Sequence, residues 1–182
     1  GAVRTPTAQW TTTAAGCCLL QSQGEGVGIA AATFGRVQDY AVHDINNMGA
    51  AMMPAAASTL LRYFSATGTS PQDFDAIFTG DLGEVGTALL HEQMAKEGLP
   101  LDNHKDCGCL LYDTNSQNVQ AGGSGAGCSA AVLCGKILPM LAAGQLRRVL
   151  FLATGALMSQ TTFLQGESIP GIAHCVELGG AV

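Results

Sequence analysis

Charge is scarce in this sequence: only 12% of its residues are Asp, Glu, Lys or Arg, about half of the roughly 25% usual for soluble domains. A surface so poor in charge is expected to meet another polypeptide segment or a membrane-associated partner over much of its area. Basic residues are the scarcer sign, eight against fourteen acids for a net charge of -6. No basic stripe is present to neutralise phosphates, so nucleic acid and anionic lipid are both disfavoured as partners. Long apolar runs are missing as well. The richest stretch, 122–144, is broken by glycines, Lys136 and Pro139, short of the ~20 continuous apolar residues that cross a bilayer. The opening GAVRTPTAQW lacks a basic region followed by an apolar one, so no secretion signal is legible.

The cysteines, seven in all, have neither the even number nor the density of a secreted disulfide scaffold. A reducing compartment is expected. Adjacent Cys17 and Cys18 would point to opposite faces of a strand, while Cys128 and Cys134 fall in a small-residue apolar helix. Core packing is the default expectation for such thiols. With 47% hydrophobic residues over 182 positions, the chain is long and apolar enough for one domain, 1–182, with a sizeable core.

Along the chain, Ala8 to Gln21 and Val27 to Val37 flank the glycine-bearing QSQGEG and suggest a β-hairpin. Pro54 suits a first helical position, with Ala57, Leu60, Leu61 and Phe64 at helical spacing and Gly68 as a stop. Phe74 to Gly80 reads as a strand, and Glu84 to Glu97, ending at Gly98, as a helix. A second cycle is expected from a strand at Cys107 to Tyr112, a polar loop, and a helix from Ser124 to Ala143 closed by Gly144. Strands follow at Val149 to Ala156 and Ile172 to Leu178. This alternation predicts an α/β layered fold with a mixed sheet, part of it parallel. The helix GSGAGCSAAVLCGKILPMLAAG carries one charge, so it is expected to be a buried central helix, covered on every side and sandwiched between two sheets.

Such a helix, preceded by a glycine-rich turn, resembles the C-terminal half of the thiolase and ketoacyl synthase superfamily. The stretches RTPTAQWTTTAAG, DINNMGAAMMPAAA, FDAIFTGDLGEVG, GGSGAGCSAAV and LFLATGALMSQTTFLQGESIPGIAHCVEL sharpen this to a resemblance to the stage V sporulation protein AD family of spore-forming bacteria. The resemblance implies the second half of a thiolase-like αβαβα fold, with the N-terminal half, and the position of its nucleophilic cysteine, outside this chain. It also allows the catalytic positions to be compared. Where ketoacyl synthases place a His at the end of the first parallel strand and an Asn three residues later, this sequence has Gly80 and Gly83; the second Asn or His position falls on about Gly123. Glycine supplies no side-chain donor for a thioester oxyanion, and each missing donor typically costs about 3 to 4 kcal/mol of transition-state stabilisation. Condensation by this half is therefore not expected, and no catalytic residue is assigned.

The candidate ligand pocket comprises Gly80, Asp81, Gly83 and Glu84 after the first parallel strand, and Gly122, Gly123, Ser124 and Gly125 at the turn before the central helix. Backbone N–H groups at such a turn can hold a carboxylate, or the glycines can simply allow close packing. Asp81 and Glu84 lie beyond a strand's carboxyl end, where α/β folds gather ligands; alternatively they face solvent, with Glu84 stabilising a helix N-terminus. The spacing H-x-x-C-x-C at His104, Cys107 and Cys109 does not match paired zinc-binding motifs, and no metal is expected. His43, His91 and His174 stand isolated in the sequence and are expected to be structural. GGSGAG follows a polar loop where a dinucleotide fingerprint would need a strand, so no nucleotide and no other cofactor is expected.

The family resemblance implies a protein that binds dipicolinic acid for uptake into the developing spore. The main carboxylate contacts are expected from the other half, with this half contributing the Gly122 to Gly125 turn or acids bridged by Ca2+. The resemblance further implies membrane proteins of the same transport system as partners, a homodimer, and an intracellular location peripheral to the forespore or spore inner membrane. The rival expectations are an acyltransferase resembling ketoacyl synthase III and a structural scaffold of a spore-membrane complex.

Overall fold

A computed structural model describes residues 4–179. Its main sheet has five strands: β2 (Gly28–Thr33), β3 (Ala76–Thr79), β4 (His104–Asp106), β6 (Arg148–Ala156) and β7 (Gly171–Gly179), in the order β2-β7-β6-β3-β4. A short parallel pair, β1 (Trp10–Thr11) with β5 (Gly123–Ser124), stands apart from it. β3 runs parallel to both β4 and β6, while β7 is antiparallel to β6 and β2. The sheet is mixed, as the alternating pattern predicts.

Strand alternation sorts the core into two layers. Ile77, Leu150, Leu152, Ala173 and Cys175 face α1 (Met48–Thr67) and α2 (Gly83–Lys96), among Leu60, Tyr63, Phe64, Leu90 and Met94. Ala76, Phe78, Val149, Phe151 and Leu178 face the opposite layer, where Cys128, Val132, Ile137 and Leu141 are buried. That layer is one interrupted helix: α4 (Ala126–Val132), a π-helical turn (Leu133–Ile137) and α5 (Leu138–Ala142). Pro139 has no N–H to give, and the Leu138 amide reaches back to Leu133 O in a widened turn just before it.

Three local expectations change. The 8–37 region is not a hairpin: Trp10–Thr11 pairs with Gly123–Ser124, and Gly28–Thr33 with Gly179 to Cys175, because each finds a better edge in the tertiary structure than the other supplies. Cys17 and Cys18 therefore lie on no strand, and both are exposed. α1 begins at Met48, not Pro54, because the Asn47 side chain caps the Ala50 N–H; Pro54 sits inside the helix and Gly68 closes it at φ 66. Cys107–Leu111 is a helical turn, α3, because Asp106 caps the Cys109 N–H; the strand of that cycle is β4. The central helix is covered by one sheet in this chain. Its sheet-facing side is buried, whereas Ala126, Gly135, Lys136 and Pro139 are exposed and residues 12–18 run along part of its outer side.

α1 and α2 cross where neither has a side chain. A Cβ on Gly49 would come within 2.3 Å of Leu82 O, and one on Gly86 within 2.9 Å of the Gly49 Cα and O. This crossing brings the N-terminus of α2, and the loop before it, against the start of α1.

Candidate functional site

The candidate site forms where β3 and β4 end and β6 passes beside them. Thr79 closes β3, followed by Gly80, Asp81, Leu82 and Gly83, the last at φ +66, a left-handed conformation that favours glycine. Asp81 is 7% exposed. One of its carboxylate oxygens accepts the Thr154 hydroxyl at 2.8 Å, and the other accepts the Gly125 N–H at 2.8 Å and the Ser124 hydroxyl at 3.3 Å. Its own N–H donates to Thr154 Oγ1. The side chain thus ties β3, β6 and the glycine turn to one another. Gln9, arriving on the segment before β1, donates from Nε2 to Asp81 O at 2.8 Å and to Gly123 O at 2.7 Å.

The two sequence-predicted clusters are therefore brought together: Gly80, Asp81 and Gly83 meet Gly122, Gly123, Ser124 and Gly125. Glu84 is separate. It is exposed in the first turn of α2 and accepts the Thr114 hydroxyl at 2.5 Å, while its N–H donates to Ala121 O. Two of the turn's N–H groups have protein acceptors, Val119 O for Gly122 and Asp81 for Gly125.

The space at the glycines is filled. A Cβ on Gly80 would meet Thr154 Oγ1 at 2.8 Å and Thr154 N at 3.2 Å; on Gly83, Ala121 O at 2.5 Å and Gln9 Nε2 at 2.8 Å. At Gly123, Cys128 Sγ, Thr12 Oγ1 and the Tyr112 ring would all lie at 3.1 Å. Beside this nexus opens a cleft of about 240 Å3 lined by Ala8, Gln9, Thr11, Ile45, Asn46, Met48 and Ser124. Its lining carries hydroxyl and carboxamide groups, two large apolar side chains, and no charged residue.

Behind the site lies a relay. Asp106 is 2% exposed and accepts from the Thr79 hydroxyl (2.6 Å), the Leu82 N–H (2.8 Å), the Gly83 N–H (2.9 Å) and the Cys109 N–H (3.3 Å). Burial pushes its carboxyl above the usual range, against the pull of those donors. Because Thr79 gives its proton to Asp106, it must accept from His104 Nε2, 2.9 Å away; His104 Nδ1 is then the acceptor for His91 Nε2–H at 3.0 Å. Burial, with the neighbouring His91, pushes His104 down to about 3. His91 is not isolated, and His104 turns to Thr79 and His91. Among the described residues no group of three or more His, Cys, Asp or Glu side chains is placed to hold a metal ion.

The sign of the His104 effect follows from linkage. Its folded value lies below the ordinary value near 6.5, so the unfolded chain takes up the proton first and stability falls as pH drops from 6.5 toward 3. The slope is at most ~1.4 kcal/mol per pH unit, or about 2 kcal/mol between pH 6.5 and 5. Asp106, raised by burial, works in the opposite direction. Urea unfolding at pH 7 and pH 5 is therefore expected to show a steeper acid loss for the wild type than for His104→Gln, and equal losses in the two proteins would remove His104 from the account.

Sequence reasoning missed Gln9, Thr154, Thr79 and Asp106. Only Asp106 carried a local signal, an acidic residue three positions before the amide it caps. The other contacts join residues 25 to 114 positions apart.

No helix among the described residues is long and apolar enough to cross a membrane. The fold resembles that of AbyA1, a tetronic acid condensing enzyme, with a TM-score of 0.51 over 88% of this chain and 50% of that one at 16% identity. That likeness supports a thiolase-like mixed α/β fold and nothing about chemistry. Stage V sporulation protein AD of Bacillus subtilis (strain 168) is 41% identical over 185 residues, covering 100% of this chain and 54% of the relative. The chain thus spans about half the length of the curated relative it matches. The family model for stage V sporulation protein AD (SpoVAD) matches residues 1–179. On these grounds the chain belongs to the stage V sporulation protein AD family.

Proposed function

We propose that this chain is part of a non-catalytic thiolase-fold protein of sporulation that binds dipicolinic acid, pyridine-2,6-dicarboxylate, for uptake into the developing spore. The observation that carries the non-catalytic reading is the packing at Gly80 and Gly83. Where a condensing enzyme needs an imidazole and a carboxamide, Thr154, Ala121 and Gln9 leave no room for even a Cβ. A catalytic side chain at either position would require the Asp81 nexus to be rebuilt.

The neighbouring cleft supports a flat, polar ligand. The side chains of Thr11 and Asn46 offer donors to carboxylate oxygens, Ile45 and Met48 offer apolar contact to a ring, and no acid in the lining opposes a dianion. The exposed apolar side chains Phe34, Tyr40 and Leu164 offer surface on which the remainder of a two-half fold is expected to pack.

Calorimetry on the full-length protein tests this reading. Dipicolinate, with or without Ca2+, is expected to bind, and Asn46→Asp, which sets a negative charge on an exposed cleft residue, is expected to weaken binding about tenfold or more, ~1.4 kcal/mol. Unchanged affinity in Asn46→Asp would remove the cleft from the ligand site. Absence of binding, or turnover of acyl-CoA by the same protein, would remove the proposal itself.

A further inference from the structure

Of the seven cysteines, Cys107, Cys128 and Cys175 are buried, with their thiols pushed well above the usual range, Cys128 and Cys175 to about 12, and half-buried Cys109 is raised likewise to about 12. Burial also shields these thiols from a small disulfide, whereas Cys18, although raised by its contact with Cys134, is exposed and open to one. The remaining three cluster in one place. Cys18 Sγ lies 3.5 Å from Cys134 Sγ, a contact between residues 116 positions apart, and Cys134 Sγ lies 3.9 Å from Cys17 O.

The surroundings hold this pair together. Residues 12–18 follow the outer side of α4 and the π-helical turn at a distance that only glycine permits on both sides. A Cβ on Gly127 would come within 2.4 Å of Ala14 O, and one on Gly16 within 2.7 Å of Ala130 O and 2.9 Å of Cys134 Sγ. Two close approaches thus set Cys18 opposite Cys134. Residues 12–20 form no helix or strand, so the backbone can give the ~1.5 Å needed to bring sulfurs from contact to the ~2.05 Å of a bond.

We propose that Cys18 and Cys134 form a reversible disulfide that latches residues 12–18 onto the central helix. The segment matters to the site because it directly follows Gln9 and β1, which is only two residues long and depends on β5 for its pairing. The oxidant class is a low-molecular-weight disulfide. The Cys18 thiolate attacks one of its sulfurs and expels one thiol; the Cys134 thiolate then attacks the Cys18 sulfur and expels the second. The two protein protons end on the two released thiols, so two protein thiols are oxidised and one small disulfide is reduced. The inference stands independently of the ligand proposed above.

The test equilibrates native full-length protein with oxidised and reduced glutathione, alkylates it, and maps peptides by mass spectrometry without reduction. A Cys18–Cys134 linkage is expected in the wild type and in Cys17→Ser, and none in Cys18→Ser or Cys134→Ser. No linkage in the wild type, or transfer of the bond to Cys17, overturns the pairing. Limited proteolysis then tests the latch. Cleavage between residues 12 and 27 is expected to slow about tenfold on oxidation of the wild type, with no change in Cys134→Ser. Equal cleavage of the oxidised and reduced wild type overturns that role.

Discussion

Asp106→Ala is expected to destabilise the protein by ~3 to 5 kcal/mol, the larger of the two largest losses anticipated for single substitutions. The carboxylate accepts from four donors, three of them backbone N–H groups at Leu82, Gly83 and Cys109. Alanine would leave those donors in a region where solvent does not replace the acceptor, each costing ~1 to 3 kcal/mol, and would remove the cap of Cys107–Leu111. Relaxation of the loop recovers part of that sum. Asp106→Asn is the informative control, since it keeps the shape and one acceptor oxygen but turns an NH2 group toward N–H donors; an intermediate loss is expected. Urea unfolding measures both. A loss below ~1 kcal/mol for Asp106→Ala would mean that the Gly80 to Gly83 turn is held by something other than this carboxylate. Because the same turn carries Asp81, ligand affinity is expected to fall together with stability.

Where local pattern and tertiary structure agree, the sequence was informative. β3 and α2 were legible because an apolar run, a glycine turn and a helical period follow one another within 74–98, β6 because Val149–Ala153 is an uninterrupted apolar run, and β7 because the turn signal IPG precedes it. The resemblance located the glycines at the site, and their packing explains why glycine stands there. What could not be read was partnership. Trp10–Thr11 looked like half of a hairpin because strand propensity says nothing about which edge is free, and its partner lies more than a hundred residues away. Cys107–Leu111 looked like a strand because its apolar residues are helical only once Asp106 caps them. His91 appeared isolated, and His104 was read with Cys107 and Cys109, because the link between the two histidines runs across two elements, from mid-α2 to the edge strand β4. Gln9 carried no signal at all, since a glutamine before a short strand becomes a site residue only when two distant carbonyls converge on it.

The same logic governs the second large loss, expected at Glu177 on β7. This residue is 6% exposed and accepts from the Tyr63 hydroxyl on α1 and from Arg148 on β6, through Nε at 2.6 Å and Nη2 at 3.3 Å. Arg148 also lies 4.5 Å from the centre of the Phe74 ring. Hydrogen bonding from Arg148 holds the Glu177 carboxyl below its usual range in spite of burial, whereas burial and that carboxylate push the Tyr63 hydroxyl well above its own. Glu177→Ala removes the acceptor from a fully buried tyrosine, and the expected cost is ~3 kcal/mol, mostly from the stranded hydroxyl and the space left behind. Arg148 contributes less to that figure because its side chain is 39% exposed and water can solvate it. Tyr63→Phe combined with Glu177→Ala separates the two contributions: the double variant is expected to lose less than the sum of the single losses, because phenylalanine leaves no hydroxyl to strand. The carboxyl's lowered value also fixes the pH dependence, since its stabilising contribution is present above the unfolded value near 4.3 and disappears as pH falls through the folded one. Glu177→Ala should therefore lose only the ion-pair share of its penalty as pH falls below that unfolded value, while the stranded hydroxyl and the space left behind persist; a penalty that does not shrink at all between about pH 7 and pH 3 would show that the ion pair contributes nothing to it.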